Sequence, residues 1–175
     1  HNSAFVDKQN RSFVVYHTRF SNGGEGHQVR VHQLFLNDEG WLMAAPFEFD
    51  GETITDEAIA SKASIADADI AGDYQFMRHQ YGQNTKAKAF ETPVNITLNA
   101  DGTITGAEKG TWKRTAGTDY IHLTINNVVY RGVLVKQTID YTNIPAIAIS
   151  ALSSSSGSVA LGQNNFTYQQ EVWAV

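Results

Sequence analysis

The sequence predicts an all-β chain: one sheet of β-propeller blade type over residues 1–49, then a small antiparallel β-barrel over residues 72–175. Short runs of β-branched and aromatic residues alternate with Gly, Asn and Asp turn signals along the chain. The first runs are apolar on both faces. In the last part, eight such runs follow one another, which is enough to close a sheet on itself and remove its edges.

Ser3–Val6 is a short first strand, ended by the polar stretch Asp7 to Arg11. Phe13–Phe20 and Gln28–Leu36 form an antiparallel pair across the flexible Gly23-Gly-Glu-Gly26 turn. Asn37-Asp-Glu-Gly40 is the next turn, so Trp41–Ala45 is a fourth strand. Phe13 and Val15 lie on one face of this meander, and Val14, Tyr16 and Phe20 on the other. A meander in water needs to hide one face only, so this one requires cover on both. A propeller blade, stacked between neighbours, meets that requirement. No second copy of the blade pattern occurs in residues 50–175, and the sequence opens at His1-Asn2-Ser3 without an initiator Met. The expectation is a C-terminal part of a larger protein.

Asp50 to Ala71 reads as a linker. Within it Thr55–Ser64 has an N-cap candidate, early acids and alanines, which gives at most one short helix. Asp67-Ala-Asp69 supplies two carboxylates, but a calcium loop needs several more oxygen ligands, so a solvated turn is the expected role. The barrel strands are then Asp73–Tyr81, Pro93–Leu98, Thr103–Ala107, Gly110–Thr115, Tyr120–Ile125, Val128–Thr138, Ala146–Leu152 and Phe166–Trp173. Asn99-Ala-Asp-Gly102 and Asn126-Asn127 are hairpin turns that tolerate positive φ, and 153–158 is a serine-rich loop.

The 175 residues carry a net charge of −5, are 42% hydrophobic and contain no cysteine. That balance disfavours nucleic acid as a partner, offers no membrane span, and excludes disulfide and thiolate chemistry. It does not locate the protein.

His1-Asn-Ser-Ala-Phe5, Tyr16-His-Thr-Arg-Phe20, Gly26-His-Gln-Val-Arg-Val-His-Gln33, Asn37-Asp-Glu-Gly-Trp41 and Ala45-Pro46 together resemble the last blade of the endo-α-1,5-L-arabinanases of glycoside hydrolase family 43. Gly110-Thr-Trp-Lys-Arg114 and Val129-Tyr-Arg-Gly-Val133 resemble the lipocalin-like C-terminal barrel that some members carry after the propeller. The resemblance implies a five-bladed propeller that cuts α-1,5-linked arabinofuranose chains with inversion. It also implies a metal ion at the propeller centre, usually calcium, and a secreted or periplasmic bacterial enzyme.

Inverting glycosidases need two carboxylates roughly 6.5–9.5 Å apart, one protonated and one ionised. Asp7, Glu25, Asp38, Glu39, Glu48 and Asp50 sit in turns, loops or the end of the blade, where solvated acids are usual. The resemblance places the catalytic acids on earlier blades, so no catalytic residue is assigned here. The first residue of His-Asn-Ser-Ala-Phe matches the family's metal-associated histidine, which makes His1 the metal-site candidate, direct or through a water; a frayed terminus is the alternative. His17 and Arg19 share one strand face and are weaker candidates for sugar contact. Arg30 and His32, on the next strand, are expected to pair with carboxylates of a neighbouring blade, and His79 and His122 to play structural parts in the barrel. Trp41, Trp112 and Trp173 could stack on sugar rings, though core packing accounts for most aromatics in β-proteins.

Three functions follow: the C-terminal part of an arabinanase, partnered by the propeller portion of the same enzyme and by arabinan; a carbohydrate-binding module without catalysis; and a lipocalin-like carrier of a small apolar ligand. A wide apolar barrel cavity would favour the third.

Overall fold

The computed structural model describes residues 1–19, 26–79, 92–154, 159–161, 166–168 and 170–175; for Arg19, 159–161 and 166–168 it describes the backbone alone. Residues 20–25, 80–91, 155–158, 162–165 and 169 lie outside it, and with them the ends of two predicted strands and most of the serine-rich loop.

The first unit is a four-stranded antiparallel meander of β1 (Asn2–Val6), β2 (Ser12–Arg19), β3 (His27–Leu36) and β4 (Leu42–Ala44) in that order. Its register sets Phe5 opposite Phe13 and Phe35 opposite Met43. Phe13 packs between Phe5 and Phe49, with ring centroids 5.1 and 4.9 Å away. Much of the remaining apolar surface is open: Phe5, Val6, Val29, Trp41 and Leu42 are 48–64% exposed.

The second unit is a closed barrel. After the helices α1 (Asp56–Ser61) and α2 (Asp67–Ile70) come β5 (Gly72–Arg78), β6 (Val94–Leu98), β7 (Thr103–Gly106), β8 (Gly110–Arg114), β9 (Tyr120–Ile125), β10 (Val128–Thr138) and β11 (Pro145–Ser153). Among the described residues β12 (Val159–Leu161) and β13 (Phe166–Tyr168) pair with each other as a two-stranded sheet, and β14 (Glu171–Ala174) closes the barrel between β11 and β5. The run expected as one strand from Phe166 to Trp173 is therefore split. Its first half belongs to a separate hairpin and only its second half enters the barrel.

Alternation along the strands fills the barrel with Tyr74, Phe76, Ile96, Leu98, Ile104, Ile121, Leu123, Ile125, Leu134, Ile149 and Val172, all buried. Asn126 and Asn127 turn the β9–β10 hairpin at φ 52° and 65°, as their side chains allow. Gly132 lies opposite Ala151 where β10 runs against β11, and a Cβ there would stand 2.3 Å from the Ser150 carbonyl oxygen.

Residues 50–71 do more than connect. Thr55 caps α1 by accepting the Ala58 amide at 3.2 Å, and Ile59 on α1 is buried. A second short helix, not expected from the sequence, contains Asp67 and Asp69 and ends on buried Ile70. Ile65 and Ile70 both enter the barrel core, so this strap plugs it. Burying each isoleucine contributes about 1.5–3 kcal/mol.

The two units touch directly. Phe35, Met43 and Ala45 of the sheet form one cluster with Ile59 and with Val133, Val135 and Ala148 on the outside of the barrel. Part of the cover expected from neighbouring blades thus comes from the barrel.

Candidate functional site

Because β1 and β2 are antiparallel with Asn2 opposite Tyr16, the residue before Asn2 falls beside His17. The rings of His1 and His17 lie 5.5 Å apart, and His27, diagonal to His17 on β3, stands 5.0 Å from it. The structure therefore assembles three imidazoles in a row at one end of the sheet. His27 was not singled out from sequence, since only the register of β3 brings it there. The Arg19 side chain, the other weak candidate, lies outside the described atoms.

The opposite face of β3 carries a second polar group of residues. His32 is buried, with Nδ1 2.7 Å from the Ala45 carbonyl and Nε2 3.1 Å from the Tyr16 hydroxyl. Arg30 pairs with Glu48 of its own chain, a carboxylate one strand-end away rather than one on a neighbouring blade. Tyr141, on the turn after β10, comes across from the barrel with φ +61°, unusual for a tyrosine, and receives Arg30 and Gln28 on its hydroxyl. Asp140 beside it accepts the Glu48 amide at 2.9 Å. Burial, offset in part by His32 and Arg30, holds the Asp140 carboxyl above the usual carboxylate range. Sequence reasoning missed both residues because nothing local marks a turn as reaching another unit.

The acids expected to be solvated are mostly engaged. Asp38 Oδ2 accepts His122 Nε2 at 2.7 Å and Arg131 at 2.8 Å. Glu39 lies 3.2 Å from the Arg131 Nε and accepts the Ser154 hydroxyl at 3.0 Å. The β3–β4 turn is thereby fastened to the barrel. Asp7 is bridged to Arg11 at 2.7 Å. These carboxylates serve as structural acceptors, and none is paired with another across an open cleft in the way glycoside cleavage requires. Among the described residues no group of three or more His, Asp or Glu side chains converges to hold a metal ion. Imidazole is in any case a poor direct ligand for calcium, so the histidine row does not by itself make a calcium site.

Among the described residues the barrel interior is filled by side chains, with the strap isoleucines plugging it, and these leave no wide apolar cavity of the kind the carrier reading needs. No helix among the described residues is long and apolar enough to cross a membrane.

Residues 46–162 match the family model of the C-terminal lipocalin-like domain of GH43. The chain is 44% identical over 142 residues to an extracellular endo-α-(1→5)-L-arabinanase of Thermotoga petrophila, a match that covers 78% of the chain and 27% of that protein. It is 38% identical over 160 residues to extracellular endo-α-(1→5)-L-arabinanase 2 of Bacillus subtilis, covering 91% of the chain and 32% of the relative. Among solved structures, the endo-1,5-α-L-arabinanase of Thermotoga petrophila superposes with a TM-score of 0.78 at 38% identity, over 99% of the chain and 34% of the other. The family 43 glycoside hydrolase YxiA protein of Bacillus licheniformis superposes with a TM-score of 0.77 at 35% identity, again over 99% and 34%. The chain thus spans only about a third of the length of the proteins it matches.

Proposed function

The chain belongs to the GH43 C-terminal lipocalin-like domain family, and from that premise we propose that it is the C-terminal part of an extracellular arabinan-degrading glycoside hydrolase. The complete enzyme would cleave α-1,5-L-arabinofuranosidic bonds with inversion, using carboxylates on propeller blades outside these residues. The observation that carries the reading is that the sheet and the barrel together match endo-arabinanases at 38–44% identity while covering only 27–32% of them. The sheet supports it independently, because its exposed Phe5, Val6, Val29 and Leu42 are the surface that stacked blades of a five-bladed propeller would cover.

Within this reading His1 would face the propeller centre and hold a water on a calcium ion, with His17 and His27 beside it. The oxygen ligands would come from other blades, since the described residues offer no converging set. The test is hydrolysis of linear α-1,5-arabinan by the complete protein, with the anomeric configuration of the first product followed by proton NMR. Net inversion on arabinan with no turnover of xylan is expected. Retention of configuration, or no action on arabinan, would overturn the proposal.

A further inference from the structure

The plugged end of the barrel carries a depression that none of the preceding roles uses. It has a volume of about 520 Å³ and is lined by Trp112, Arg114, Asp67 and small residues, among them Ala63, Ala100 and Gly117. That volume falls in the range of about 300–1,000 Å³ usual for ligand sites. The lining comes from the strap, from β8 and from the β6–β7 and β8–β9 turns, whereas the sheet of residues 1–49 meets the barrel through residues that include Val133, Val135, Ala148, His122 and Arg131.

Its walls are fixed before any ligand arrives. The Trp112 indole N–H donates to the Asn99 carbonyl at 2.8 Å, which sets the ring plane, and part of the ring packs on the barrel core. Arg114 is only 8% exposed and is held by the Thr118 and Ile65 carbonyls, by Asp119 and by Asp67. Asp67 meets it with Oδ1 at 2.8 Å while its side chain stays 84% exposed, which leaves Oδ2 at the water-facing rim. The small side chains keep the space beside the indole open.

An immobilised indole beside a carboxylate whose free oxygen faces outward matches the two sides of a sugar ring, an apolar C–H face and a rim of hydroxyls. An anionic ligand fits less well, because Asp119 and Asp67 together already more than offset the Arg114 charge. We propose that this depression is a second, non-catalytic carbohydrate site that holds pentofuranose units of an arabinan chain, with Trp112 as the platform and Asp67 as a hydroxyl acceptor. The choice of arabinan rests on the function proposed above; the choice of a saccharide rests on the walls of the depression. Binding here would keep the polymer on the enzyme between cuts, since two linked sites raise the effective concentration of the chain at each.

The test is retardation of the 175-residue chain in native gels cast with linear arabinan, with xylan gels in parallel. Wild type is expected to be retarded by arabinan. Trp112→Ala should weaken retention about tenfold, the loss expected when an aromatic stacking face worth about 1.4 kcal/mol is removed. Asp67→Ala, at an exposed position where folding is not at stake, should weaken it several-fold, and Lys113→Ala on the neighbouring outward position should leave it unchanged. Circular dichroism on each variant separates lost binding from lost folding, and Trp112→Phe should retain part of the affinity. Wild type that migrates freely in both gels, or Asp67→Ala and Trp112→Phe that bind like wild type, would overturn the site while leaving the hydrolase reading to its own assay. Equal retention by xylan would overturn arabinan as the ligand.

Discussion

Replacing Asp119 with Ala tests how the strap is held in the barrel. Asp119 is 3% exposed and gathers four contacts: the Ser64 amide at 3.0 and 3.2 Å to its two oxygens, the Ser64 hydroxyl, and the Arg114 guanidinium. Truncation leaves Arg114 charged in a site where it is 8% exposed, with only the largely solvent-exposed Asp67 to offset it. Removing one member of a buried ion pair costs about 3–5 kcal/mol. For a chain of this size each kcal/mol lowers Tm by about 2–4 °C, so a fall of about 6–20 °C is expected. The backbone bonds of residue 119 to Ile59 and Leu134, both 2.8 Å, do not depend on the side chain, so the barrel should still form. Thermal unfolding by circular dichroism gives the size of the effect, and amide exchange at Ile65 and Ile70 locates it in the strap. The double replacement Arg114→Met with Asp119→Leu should recover most of the loss, because an apolar pair of similar volume carries no uncompensated charge. A loss below about 1 kcal/mol in Asp119→Ala, with strap amides still protected, would show that the Asp119 carboxylate does not hold the strap.

Gly132→Ala should destabilise the barrel by about 1–3 kcal/mol in urea unfolding, because its Cβ would meet the backbone of Ser150 and Ala151 rather than a side chain that can move. Tyr74, buried and donating to the Ile70 carbonyl at 2.8 Å, has its pKa pushed up to about 12 by burial. The unfolded chain loses that proton first, near its ordinary 10.0, so this contribution to stability is complete below pH 10 and is lost as pH rises through 12. A tyrosinate absorbance titration that shows every tyrosine ionised by pH 10.5 in the folded chain would contradict it. In the complete protein, His1→Ala should lower metal retention and arabinan turnover about 10- to 100-fold if His1 acts through a held water, with melting temperature little changed beyond lost metal linkage. Metal content and rate both equal to wild type would show that His1 is a bystander.

Most of the fold was legible because its signals are local. Period-two alternation in Tyr120–Ile125 and Val128–Thr138, with Asn126-Asn127 between them, gave two barrel strands whose observed bounds agree with the reading. The division of Phe166–Trp173 was not legible, since a hairpin strand and a barrel strand carry the same β-branched and aromatic composition. The strap was hidden for another reason. Ile65 and Ile70 are isolated apolar residues in a polar stretch, and only the Arg114–Asp119 pair, distant in sequence, shows why they are drawn inward. At the candidate site the row of His1 and His17 follows from β1–β2 pairing, whereas Tyr141 and Asp140 reach the sheet across more than ninety residues of sequence, from a turn with no mark of its destination.

The proposed function makes these residues the completing part of a hydrolase whose cleavage chemistry lies elsewhere in the polypeptide. The direct measurement is arabinan hydrolysis by the purified 175-residue chain beside the complete protein at equal concentration, read as new reducing ends. Turnover by the complete protein and none above blank by the chain is expected, because the sheet acids Asp7, Asp38 and Glu48 are committed to Arg11, His122, Arg131 and Arg30. Sustained turnover by the pure chain, abolished by changing one of its own carboxylates, would contradict it.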